Sequence, residues 1–227
     1  MKKLFQNKKE SKPQKINIGC GQTPTLGWLN FDNSFSIKIA KIPMLYKVAY
    51  KLGILKESQY QFIQFAKKNK IKHGDVIKGL PLADESIDVV YSSHMIEHLD
   101  FLDVKKFLNE VYRILVPKGI VRIATPDLDK LVDHYNETGD ANYFIKSTRL
   151  YMFRPKSFLE RIKILLIGTR HHLWLYNKYS LANLLKNHGF INPEVMQPGD
   201  TKIKNPGFLN LKERSKESLY IEAEKTE

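Results

Sequence analysis

The chain has 227 residues, 42% apolar and 27% charged, a balance that supports a folded core and excludes an intrinsically disordered polymer. Its formal net charge is +13 and it holds one cysteine, which excludes an internal disulfide and a thiolate zinc cluster. No apolar run reaches the roughly 18–20 residues of a membrane-spanning helix, and the polar start lacks the ~7–15-residue apolar stretch of a secretory signal, so a cytoplasmic address is expected.

The basicity is regional: residues 1–72 carry 15 lysines against three acidic residues, while 73–227 carry 22 basic against 21 acidic ones. Residues 1–14 read as a basic, flexible arm, because like charges at a terminus repel one another and stay solvated. Residues 15–227 read as a single domain. Lys15-Ile16-Asn17-Ile18 is the first predicted strand and runs into Gly19-Cys20-Gly21; residues 28–32 form the second. Residues 35–72 interrupt the strand rhythm and are expected to form a helical lid. There Met44, Leu45, Val48, Ala49 and Leu52 share one helical face and Lys47 and Lys51 another, after a break at Pro43. A basic amphipathic helix of this kind packs on its own domain or lies on an anionic membrane, here peripherally at the inner face.

Residues 87–91 read as a buried strand. A helix follows, with Val104, Phe107, Leu108, Val111 and Leu115 at helical spacing and Asp103 as its N-cap. It crosses over to a parallel strand at 120–124, entered through the turn Pro117-Lys118-Gly119. Residues 140–176 form a second insertion, expected to be a substrate cap. Its Arg149, Arg154 and Arg161 lie among Tyr151, Phe153 and Phe158, a mixture suited to phosphate recognition and stacking. A short helix capped by Ser180 and closed by Gly189 leads to strands at 194–196 and 219–223. Strands alternating with helices predict an α/β layered fold around a mostly parallel sheet.

A glycine pair directly after a strand lets backbone N–H groups approach a ligand closely, which Gly19-Cys20-Gly21 is placed to do. Pro24 stands where a dinucleotide fingerprint wants its third glycine, which argues against NAD. Asp32 ends the second strand, where a carboxylate can accept from both hydroxyls of a ribose. Asp75 follows as a second acid, just before the loop Gly79-Leu80-Pro81-Leu82. His94-Met95-Ile96-Glu97-His98 spells the H-x-x-E-H signature of a zinc hydrolase. That chemistry needs both histidines on one helix face, whereas here the motif follows a buried strand and leaves the glycine loop unexplained; no metal ligands are assigned.

Three segments, 15–21, 80–99 and 110–122, together make the chain resemble the class I S-adenosylmethionine-dependent methyltransferases of the type 11 group. Within it the likeness extends through Thr125-Pro126-Asp127-Leu128, His171-His172-Leu173-Trp174 and the ending 217–223 to a subgroup associated with surface-glycan biosynthesis. The resemblance implies a Rossmann-like fold: a seven-stranded, mostly parallel sheet with its last strand antiparallel and helices on both faces. It implies S-adenosylmethionine as cofactor and S-adenosylhomocysteine as product. Gly19, Cys20 and Gly21 would line the methionine part, Asp32 the ribose and Asp75 the adenine, with Ser93 and His94 near the reactive methyl. Asn17 departs from the pattern, since many relatives carry an acid there. Some RNA-terminal 2′-O-methyltransferases look similar around His94-Met95-Ile96-Glu97-His98 and hold a divalent metal with a Glu-x-x-Glu-His and a later histidine; position 94 is His rather than Glu here, so the metal-assisted variant is an alternative and not the expectation.

Such an enzyme needs a base when its acceptor is a hydroxyl, and a histidine suits that role. His94 is the first choice, with His171 and His172 next. The expected acceptor is a sugar or another small anionic molecule, a lipid- or nucleotide-linked glycan whose phosphates would meet the lid lysines and the cap arginines. An RNA methyltransferase, suggested by the basic surface alone, and a non-catalytic cofactor-binding scaffold are the alternatives. The sequence assigns no oligomeric state.

Overall fold

The computed structural model describes residues 14–150 and 171–227. The basic arm up to Lys12 therefore lies outside the described residues, as do Arg154 and Arg161 of the cap. Seven strands form one sheet: β1 (Lys15–Ile18), β2 (Leu29–Asp32), β3 (Lys72–His73), β4 (Ile87–Ser93), β5 (Leu115–Pro126), β6 (Phe190–Met196) and β7 (Ser218–Lys225). Their order is β3-β2-β1-β4-β5-β7-β6. Strands β1 to β5 pair in parallel, and β7 runs antiparallel to both β5 and β6. The strand order reverses between β1 and β4, so the carboxyl ends of these strands open onto the crevice where such sheets hold ligands.

One face of the sheet is covered by α4 (Phe101–Ile114) and α7 (Lys178–Asn187), where Phe107, Leu108, Val111, Leu181 and Leu185 meet Ile16, Val90, Val121 and Ile123. The apolar spacing of α4 is as expected, but its N-cap is Asp100, whose carboxylate accepts from Asp103 N at 2.8 Å. Asp103 instead lies in the first turn, where its charge suits the helix dipole. Similarly, Asn177 rather than Ser180 caps α7, and Ser180 answers it from the third helical position. On the opposite face Ile203 and Leu209 of a non-helical segment close over Val89, Tyr91 and Tyr220.

The chain passes from β2 to β3 through three helices, α1 (Phe35–Ala40), α2 (Pro43–Lys51) and α3 (Glu57–Lys68). Pro43 opens α2, where its missing N–H costs nothing. The predicted apolar face of α2 is turned outward, with Met44 79% and Leu52 69% exposed; the buried residue is Tyr46. After β5, α5 (Leu128–Thr138) and α6 (Ala141–Thr148) lead to Arg149. Among the described residues no helix is long and apolar enough to cross a membrane.

Candidate functional site

The site begins at the end of β1. Gly19 and Gly21 have φ of 70° and 48°, a left-handed geometry that favours glycine. The N–H groups of Gly19 and Cys20 both donate to Phe31 O. Asp32, at the end of β2, ties this loop down: its Oδ2 accepts from Gly21 N at 3.0 Å and its Oδ1 from Ser34 N at 2.8 Å. Each carboxylate oxygen keeps a further lone pair for a ligand hydroxyl. Cys20 takes part through its backbone, because its side chain packs with Ile37, Ala66 and Ile71. Burial, with Asp32 nearby, pushes its thiol up to about 12.

Asp75 lies just past β3, two residues beyond His73, which pairs with Asp32 across the sheet. It caps a 3-10 turn by accepting from Ile77 N at 3.2 Å and pairs with Lys78 at 3.0 Å. The loop that follows is clamped by Glu110 of α4, which accepts from Leu80 N at 2.7 Å and holds Arg113 through two bonds. Beyond, at the β3 edge, a cavity of about 470 Å³ opens between Ile37, Lys41, Lys67, Lys70 and His73. Two strands, β2 and β1, stand between β3 and the β4 strand that His94 follows.

Ser93 ends β4 and His94 follows it with φ 48°, an uncommon geometry for a histidine. The His94 backbone N–H donates to Ala124 O at 2.8 Å. Its side chain is 7% exposed, with Nε2 2.9 Å from Ser218 Oγ and Nδ1 3.3 Å from Glu97 Oε1, the latter not aligned as a hydrogen bond. Met95 to Leu99 turn sharply through a 3-10 helix (Ile96–His98). The continuous helix that an H-x-x-E-H site needs is thus absent here.

His171 and His172 lie beside this turn. Leu173 N and Trp174 N donate to Glu97 O, and His172 N donates to Arg149 O. His172 is buried, and burial, opposed in part by Glu97, holds its imidazole below the usual histidine value. His171 is half-buried, and its carbonyl accepts from His98 Nδ1 at 2.9 Å. Glu97 and His98, read in the sequence as letters of a zinc signature and of a metal-assisted methyltransferase pattern, lie together here with His172. No spacing announces which later histidine joins them.

Among the described residues seven buried side-chain polar atoms lack a hydrogen-bond partner: Asn17 Oδ1, Ser34 Oγ, Ser92 Oγ, Ser93 Oγ, His94 Nδ1, Glu97 Oε1 and Arg122 Nε. All but Arg122 lie at or just past the carboxyl ends of β1, β2 and β4. Buried polar groups are ordinarily satisfied, so orphans gathered along one edge make that edge the candidate ligand site. A Cβ added at Gly21 would meet no atom within 4 Å, which leaves its backbone open to approach.

Residues 16–123 match a family model described as "Methyltransferase domain". A curated protein of Mycolicibacterium smegmatis named "Probable S-adenosylmethionine-dependent methyltransferase" is 42% identical over 57 residues, 25% of this chain and 21% of that protein. The matched stretch thus spans about a fifth of the length of this relative. Among solved structures, a SAM-dependent methyltransferase of Methanosarcina mazei aligns over 95% of this chain and 94% of its own at 13% identity, with a TM-score of 0.51, and shares the fold. A Haemonchus contortus phosphoethanolamine N-methyltransferase solved with S-adenosyl-L-methionine aligns over 96% of this chain and 49% of its own, at 15% identity and a TM-score of 0.46.

Proposed function

We propose that the chain, whose residues 16–123 match a methyltransferase family model, is an enzyme that binds S-adenosylmethionine along the carboxyl edge of its sheet and methylates a sugar hydroxyl. The observation that carries this reading is the row of orphaned polar atoms at that edge beside the open backbone of Gly21. Asp32 would accept from the ribose hydroxyls while holding the glycine loop in place, and Asp75 would face the adenine. Asn17, where an acid is usual, offers its orphaned Oδ1 as acceptor for the methionine ammonium. The sulfonium supplies an already activated methyl, so the protein has to align the acceptor and remove a proton.

His94 is assigned as the base. The acceptor hydroxyl would take the place of Ser218 Oγ, 2.9 Å from Nε2, and pass its proton to that nitrogen. The acceptor is anionic, a glycan carried on a lipid or nucleotide diphosphate: residues 33–56 hold five lysines and no acid. The outward apolar face of α2 between those lysines suits a lipid-borne acceptor at an anionic membrane surface.

Calorimetric titration with S-adenosylmethionine tests the cofactor assignment, comparing the natural chain with Asp32→Asn. The amide keeps an acceptor for the loop but weakens the ribose contact, so the variant should bind about 100-fold more weakly with its fold intact. Absence of binding by the folded natural chain would end the methyltransferase reading. Methyl incorporation from labelled cofactor into nucleotide-linked sugars, polyprenyl-diphosphate glycans and RNA then identifies the acceptor. Labelling of RNA alone would overturn the glycan assignment.

A further inference from the structure

We propose that Glu97, His98 and His172 form a binding site for one divalent cation of the zinc type. One ligand atom from each lies within 4.8 Å of the others, in a largely buried pocket between the 3-10 turn after β4 and the end of the cap.

Three independent features of the cluster point to a cation. The first is the tautomers. His98 Nδ1–H donates to His171 O and His172 Nδ1–H donates to Thr148 O, both at 2.9 Å. Each imidazole therefore turns an Nε2 lone pair toward the cluster, in the arrangement by which backbone carbonyls orient metal-binding histidines. The second is the carboxylate. Glu97 is fully buried, its Oε2 receives only a 3.4 Å bond from Thr125, and its Oε1 has no hydrogen-bond partner. A buried carboxylate oxygen without a donor is costly, and a cation beside it removes that cost. The third is ring geometry. Two imidazoles bound through Nε2 to one tetrahedral ion at about 2.1 Å have ring centres about 5.2 Å apart. The His98 and His172 centroids lie 5.1 Å apart.

Imidazole and carboxylate donors together suit zinc or cobalt better than calcium or magnesium. Three protein ligands leave a fourth position for water or an acceptor oxygen. His94 Nδ1 reaches Glu97 Oε1 but is not one of the three, so the natural chain need not surrender its proposed base to the metal. The separation of His172 Nε2 from Glu97 Oε1, 4.0 Å, exceeds the about 3.4 Å edge of a tetrahedral zinc site. Binding would thus draw the end of the cap toward β4, along the backbone bonds that already join Leu173 and Trp174 to Glu97.

The test uses the full chain, stripped with a chelator and titrated with Co²⁺, then with Zn²⁺ in competition. One saturable equivalent with the visible bands of four-coordinate cobalt is expected, displaced by zinc. His172→Gln and Glu97→Gln should each weaken binding by more than about 100-fold, while His188→Gln on α7 leaves it unchanged. X-ray absorption of the zinc-loaded natural chain supplies a reading that needs no variant, with two imidazoles and oxygen ligands expected around the ion. Lack of an equimolar phase in the folded natural chain, folded variants that bind as it does, or a shell without two imidazoles would each overturn the site. Cofactor titration is independent of this result, so the site can fail while the methyltransferase reading stands, and the reverse.

Discussion

A Cβ placed on Gly19 would stand 2.7 Å from Met95 Cγ, whereas one on Gly21 would meet nothing within 4 Å, although both residues have positive φ. The two glycines of one loop thus serve different ends. Gly19 lets the residue after His94 pack against the loop, and Gly21 leaves its backbone accessible to a ligand. Gly19→Ala should therefore lower stability by about 2–3 kcal/mol, combining left-handed strain with overpacking. Gly21→Ala pays the backbone strain alone, about 1–2 kcal/mol, yet should weaken S-adenosylmethionine binding at least tenfold. Urea unfolding beside calorimetric titration separates the two. Equal losses of affinity at equal stability would show that the open space beside Gly21 has no part in binding.

At the scale of elements, the periodicity of α4 made its buried face legible, since Val104, Phe107, Leu108 and Val111 can only share one side of a helix. Its boundary was less so. Asp100 and Asp103 are both good capping residues, and only the extended backbone of Asp100 decides between them. The glycine loop and the acids at the strand ends were readable because such residues carry their own signal. Convergence of His172 on Glu97 and His98 was not, because no local pattern relates residues so far apart in the chain. For α2, spacing showed which residues share a face but not what covers it, and Met44, Leu45, Val48 and Leu52 turn out exposed. With lysines flanking them and no acid between residues 33 and 56, that face should bind vesicles containing anionic lipid and ignore neutral ones. Val48→Asp with Leu52→Asp should abolish sedimentation with anionic vesicles while leaving cofactor affinity unchanged. Retained sedimentation would show that this face is not the contact.

Across the whole molecule, the antiparallel end of the sheet is held to the rest by a buried ion pair that the apolar reading of β5 does not suggest. Arg122 on β5 is fully buried and donates from Nη1 to Glu222 Oε1 on β7 at 2.6 Å. The same guanidinium donates to Asp200 O and Leu211 O and lies over the Tyr220 ring. Glu222 in turn accepts from Thr201 Oγ1 and Lys202 N. One pair therefore joins two strands to the segment whose Ile203 and Leu209 close the second face of the sheet. A buried pair need not add net stability, but removing one partner strands the other charge away from water. Arg122→Met should cost about 3–5 kcal/mol. Adding Glu222→Gln should recover part of that loss, because the amide is neutral and still accepts from Thr201 or Lys202. Urea unfolding of the two single variants and the double variant measures the coupling. Additive losses would mean that the two side chains act separately, and the loop contacts of Arg122 rather than its charge would then hold this end of the molecule together.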